Sequence, residues 1–191
     1  MKKILPFLTI ALLACCFSNP VASQHIWELR DYSSERVSSY DVSGANDDGN
    51  WKNKIKPGDT RTIAEMNGPG IIKHIWITIA SNEPQHLKKI ILRMYWDDEI
   101  TPSVEAPIGD FFGLGLGKYF LYESKFLSVG SQRALNCSFE MPFRKSARIT
   151  VTNEGEQAID CILLQYRLGK TSFVTRKYRL LPCSIQTSYS Y

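Results

Sequence analysis

Apolar positions recur with period two through most of the chain. In Leu87 to Trp96, the residues Ile90, Leu92, Met94 and Trp96 fall on one face of an extended segment, and Lys89, Ile91, Arg93 and Tyr95 on the other. In Ala147 to Thr152, Ala147, Ile149 and Val151 alternate with Arg148, Thr150 and Thr152. Thr60 to Met66, Tyr119 to Leu127 and Ala134 to Phe139 read as further strands. Ile71 to Ala80 (IIKHIWITIA) is rich in β-branched residues and almost continuously apolar, which predicts a strand buried on most of both faces. His74 within it reads as a satisfied core or edge histidine.

Turn signals separate these segments. They are SGANDDG at Ser43 to Gly49, KPGD at Lys56 to Asp59, Gly68-Pro69-Gly70, Asp97-Asp98-Glu99 and Asn153-Glu154-Gly155. No segment between them sustains a helical period. Short strands spaced by such turns predict an all-β fold, an antiparallel sandwich or barrel; a jelly-roll sandwich would close such strands into two packed sheets. One stretch departs from the rhythm: Thr101 to Gly117 (TPSVEAPIGDFFGLGLG) is broken by Pro102, Pro107 and Gly109 and reads as a long structured loop rather than a helix. It carries two carboxylates, Glu105 and Asp110, among small and aromatic residues.

Charge changes the picture chiefly through its location. The net charge is +4. Lys2 and Lys3 lie in an export-like segment, and the five basic residues after Asp160 have no acid among them. Without these seven positive charges, residues 24–160 carry −3, so no basic stripe argues for nucleic acid. Residues 1–23 read as a signal peptide, with an apolar run from Ile4 to Phe17 and a small-residue cleavage site at Val21-Ala22-Ser23. Lipoprotein processing at Cys15 is the alternative. The apolar run is short for a membrane span. These features predict a periplasmic or extracellular protein. Cys137, Cys161 and Cys183 then remain, an odd and widely spaced set with no zinc-ligand spacing. Cys137 reads as a buried small hydrophobe.

Candidate chemistry lies in two places. Asn46, Asp47 and Asp48 can contact a cation or sugar hydroxyls, or can close an Asx-turn. Trp51 beside them is the aromatic best placed for stacking on a sugar, whereas Trp76 and Trp96 sit in strand patterns that suit core packing. Glu105 and Asp110 form the second group. These five residues, Asp47, Asp48, Trp51, Glu105 and Asp110, are the candidate substrate contacts. No cofactor is expected.

The segments SSYDVSGANDDGNW, MNGPGIIKHIWITI, LRMYWDDE, PSVEAPIGDFFGLGLG and RALNCSFEMPFRKSARITVTNEG together resemble glycoside hydrolase family 172. The likeness covers roughly Leu29 to Asp160. It implies a protomer of two tandem jelly rolls that assembles into trimers or multiples of trimers. It also implies activity on furanosides, either difructose compounds or D-arabinofuranose units, in oligosaccharides or polysaccharides. Relatives look like retaining enzymes with two glutamates, which requires carboxyl groups about 5–5.5 Å apart. Those glutamates belong to the second jelly roll, and one follows a Gly-Thr-Gly-Thr-like segment that this sequence lacks. No catalytic role therefore transfers to Glu105 or Asp110, and the chain is expected to be an exported fragment, inactive alone. A non-catalytic carbohydrate-binding or oligomer-assembly module is the alternative.

The likeness ends after Asp160. With suitably chosen synonymous codons, a one-base shift turns Cys161 to Thr171 into Ala-Phe-Tyr-Tyr-Asn-Ile-Asp-Trp-Glu-Lys. That resembles what relatives carry there. Residues 24–160 are thus expected to form the jelly roll, and residues 161–191 a frameshifted, poorly ordered tail.

Overall fold

Alternating β-branched and polar residues produce strands along most of the chain. The computed structural model describes residues 33–50 and 52–170. The strands are β1 (Ser33–Ser38), β2 (Thr60–Asn67), β3 (Gly70–Ser81), β4 (Ile90–Trp96), β5 (Val104–Pro107), β6 (Tyr122–Glu123), β7 (Leu127–Val129), β8 (Leu135–Cys137), β9 (Met141–Phe143), β10 (Ser146–Asn153) and β11 (Ile159–Lys170). Two one-turn helices interrupt them, α1 (His86–Lys89) and α2 (Ile108–Phe111). The result is an antiparallel β-sandwich of the jelly-roll class, as the strand and turn rhythm predicts.

One sheet has the order β1-β11-β3-β8-β7-β6, with β9 also paired to β3. The other has the order β2-β10-β4-β5. Their inner faces bury Ile72, Ile75 and Ile77 from β3, Leu92 and Met94 from β4, and Ile149 and Val151 from β10. Phe112, Phe143 and Tyr166 fill the volume between the sheets. The faces expected for β4 and β10 are those observed. β3 differs: its inner positions are buried, but Lys73, His74, Trp76 and Thr78 on its outer side are only half-buried. Trp96 packs on the core and stacks with Phe143 at 6.5 Å. The Nε2 of His74 lies 3.2 Å from Asn136 Oδ1, while its buried Nδ1 has no hydrogen-bond partner among the described residues.

β10 and β2 do not run in even register. Ile149 stands opposite Ala64 but Thr150 opposite Thr62, so Ile63 is an extra residue in β2. Such a bulge shifts the alternation by one. Arg61 and Ile63 on one side of it therefore share the inward side with Ala64 and Met66 on the other, while Thr62 and Glu65 are exposed.

Several local expectations are revised. The stretch Thr101 to Gly117 is not one loop. It contains β5, which pairs with β4, and then α2. Pro107 does not break this helix; it is the residue that opens it, where its missing N–H costs nothing. Gly109 lets α2 sit on α1, because a Cβ there would come within 2.8 Å of the Leu87 Cβ and carbonyl oxygen. Residues 86–89 are helical, so the strand expected from Leu87 starts at Ile90. The strand expected over Tyr119 to Leu127 is two short ones, β6 and β7.

The boundary expected after Asp160 falls inside β11. Residues 161–170 pair with β3 on one side and β1 on the other, and Ile162, Leu164, Tyr166 and Leu168 face the core. Residues 1–32, Trp51 and residues 171–191, which include the signal peptide and Cys183, lie outside the described residues.

Candidate functional site

The segment that follows β1, together with β2 of one sheet and β11 of the other, encloses a cavity of about 330 Å³. The turn from Tyr40 to Asn50 forms its rim, and Ile55, Ile162 and Leu164 line it from the core side. Polar groups reach it from Asp41, Asp47, Arg61 and Thr62, and Tyr40 supplies an aromatic face.

The rim is rigidly built. The carboxylate of Asp41 accepts hydrogen bonds from the Ser43 hydroxyl at 2.6 Å, the Ser43 amide at 2.9 Å and the Asp47 amide at 3.0 Å. The Ser43 hydroxyl bond, followed by the two amides, holds the Asp41 carboxyl down at about 2. Asp48 returns the arrangement by accepting the Asp41 amide at 2.6 Å. Gly49 closes the turn with φ +78°, and a Cβ there would lie 2.3 Å from the Cys161 sulfur. The turn can therefore seat on β11 only with glycine at this position. Burial, then the neighbouring Asp47, Asp160 and Asp48, push the Cys161 thiol up to about 11. Burial likewise raises Cys137 to about 11, and both cysteines are free.

The two neighbouring aspartates thus divide their work. Asp48 is a structural acceptor within the turn. Asp47 donates its amide to Asp41, while its carboxylate lines the cavity without a hydrogen bond to any described residue. Arg61 bonds the carbonyl of Asn53 and also lines the cavity. An acceptor, a fork of donors, a threonine hydroxyl and an aromatic ring together suit a neutral ligand rich in hydroxyl groups.

The other candidates lie elsewhere. Glu105 is on β5, the strand at the opposite edge of the four-stranded sheet from β2, roughly 14 Å away at ordinary strand spacing. It accepts from Arg93 Nε at 2.8 Å. Arg93 also donates to the Thr152 hydroxyl at 2.6 Å and lies 3.8 Å from Glu154. Asp110 on α2 accepts from Lys88 on α1 at 2.6 Å and so ties the two helices together. Of the residues expected to contact substrate, Asp47 lines the cavity, Asp48 is taken up in its rim, and Glu105 and Asp110 are each held in an ion pair elsewhere. Sequence reasoning missed Asp41 and Arg61. Asp41 lies within the quoted segment SSYDVSGANDDGNW, while Arg61 carries no local signal because only the tertiary fold brings β2 to this turn.

A family model described as GH172 domain-like matches residues 47–164, more than half of the chain. The chain belongs to this family. No curated protein matches it. The GH172 match begins at Asp47, and it runs through the start of β11 to Leu164, another residue that lines the cavity. It therefore includes both the open carboxylate and the strand that the turn seats upon. Among the described residues of this GH172 domain, no group of three or more His, Cys, Asp or Glu side chains is placed to hold a metal ion, and no helix is long and apolar enough to cross a membrane.

Proposed function

We propose that this chain is an exported part of a furanoside-active glycoside hydrolase of the GH172 family, supplying a jelly roll and a wall of the sugar site rather than the bond-breaking groups. The observation that carries this reading is the cavity beside β2, lined by Asp47, whose carboxylate has no hydrogen bond to a described residue, together with Arg61, Thr62 and Tyr40. A sugar hydroxyl both donates and accepts, so it can donate a hydrogen bond to Asp47 and accept one from Arg61.

Retaining hydrolysis needs two carboxyl groups at short separation, one to attack and one to donate a proton. Four of the described acids are used otherwise. Asp41 and Asp48 hold the turn, Glu105 is held by Arg93, and Asp110 by Lys88. Asp47 is left to bind and orient. Export is supported by the charged, apolar and small-residue order of residues 1–23.

Calorimetric titration of the purified chain with fructo- and arabinofuranosyl oligosaccharides tests this. Saturable binding is expected, with aryl furanosides left intact. Asp47→Asn should weaken binding about tenfold or more, as for loss of a charge-assisted hydrogen bond. Turnover by the chain alone, or unaltered affinity in the variant, would refute the assignment.

A further inference from the structure

A second cavity, of about 270 Å³, lies further along β2, beyond the bulge. Its floor is the outer face of three adjacent strands. The register of β10 sets Arg148 opposite Glu65 of β2 on one side and opposite Tyr95 of β4 on the other. One step along, Ser146 stands opposite Asn67. The turn with Asp98 and Glu99 forms a wall. None of the candidate residues of the first cavity lines it.

The state of Arg148 is what suggests a ligand. Its guanidinium lies over the Tyr95 ring, 3.8 Å from the centroid. It forms no hydrogen bond or ion pair with any described residue, although Glu65 is its direct cross-strand neighbour. The stacking fixes the plane of the fork and leaves its N–H edge free. The Glu65 carboxylate is equally unpaired among the described residues. Asp98 is engaged by the Ser146 hydroxyl at 2.6 Å, and Glu99 accepts from Ser103 at 3.1 Å.

A ligand for this cavity must therefore accept from Arg148 and donate to Glu65 at the same time. Three acids, one of them (Asp98) 3.9 Å from the Lys145 ammonium, outnumber the one lining arginine and disfavour an anion, and Arg148 disfavours a bare cation. Neutral hydroxyl groups meet both demands, and the Tyr95 ring adds apolar wall. The volume lies just under that of ordinary ligand pockets, which suits one sugar unit. We infer that this cavity is a second saccharide site, separate from the Asp47 cavity, with Arg148 and Glu65 as its hydroxyl contacts; the choice of a sugar rests on the glycoside-hydrolase reading above.

The test is a titration of the 15N-labelled full chain with a neutral fructofuranosyl trisaccharide and an arabinofuranosyl trisaccharide, with sodium glucuronate as the anionic comparison. Saturable shifts are expected at the amides of Glu65, Asn67, Tyr95 and Arg148 with a neutral sugar. Arg148→Met should weaken binding at these amides about tenfold, leaving shifts around Asp47 in place. Glu65→Gln serves the same purpose if the first variant does not fold. Shifts around Asp47 without shifts here would overturn this inference and leave the proposed function standing. Shifts here without any around Asp47 would do the reverse, and silence at both would defeat both. Tighter binding of glucuronate than of the neutral sugars, or shifts unchanged in both variants, would also sink the second site.

Discussion

Asp41 and Asp47 sit six residues apart on the same turn and have opposite fates. Asp41 gathers three donors onto its carboxylate, and its acidity follows from them. Its pKa in the fold, about 2, is below the ordinary 3.8, so the unfolded chain binds a proton more readily in that interval. The turn's support from Asp41 is complete above the ordinary value and is lost as pH falls from there through 2. A carboxyl-carbon NMR titration of Asp41, followed together with amide exchange at Ser43 and Asp47, should show the midpoint near 2 and the amides opening with it. Glu83 behaves alike: it is buried, and the Glu156 amide, then Lys89, hold its carboxyl below the usual carboxylate range. Glu83→Gln should lower the melting temperature at neutral pH and narrow that difference in acid. None of this division was legible in the sequence. SGANDDG announces a turn, but which aspartate is consumed by it depends on how the chain folds back on itself.

At the scale of elements, period-two order located the strands that have one wet face. β2, β4 and β10 were legible for that reason. β9 was not, because Pro142 inside a three-residue strand resembles an interruption. The one-turn helices are too short to display a period. β11 is the instructive case. Ile162, Leu164, Tyr166 and Leu168 alternate with Leu163, Gln165 and Arg167, so the pattern is present in the sequence. Leu164→Ala should cost ~2–5 kcal/mol in chemical denaturation if β11 is core as described; a negligible cost would place residues from 161 outside the sandwich. Gly109→Ala should cost ~1–3 kcal/mol, since the added methyl group meets the Leu87 backbone.

Across the whole molecule, the jelly-roll class was readable, whereas the grouping of the sites was not. Sequence neighbours such as Glu105 and Asp110 fell into different ion pairs, and distant residues such as Asp47 and Arg61 met at one cavity. The surface also carries apolar groups. Leu116, Phe120, Leu121, Phe126 and Phe139 are exposed, and the last two stack on each other at 4.7 Å. Exposed apolar area of this kind supports assembly with further subunits. Light scattering on the purified chain should report trimers or larger species, and Phe126→Ser with Phe139→Ser should shift the population towards monomer. Resequencing around codon 160 separately tests the proposed one-base shift; an unshifted frame there would end that proposal.

The extra residue at Ile63 has a consequence for how this gene can change. It allows one edge strand to offer Arg61 to one hollow and Glu65 to another, on opposite sides of the sheet. Loss of that single codon would restore strict alternation. Every polar residue that lines either hollow would still be encoded, yet one set would be turned away from its ligand.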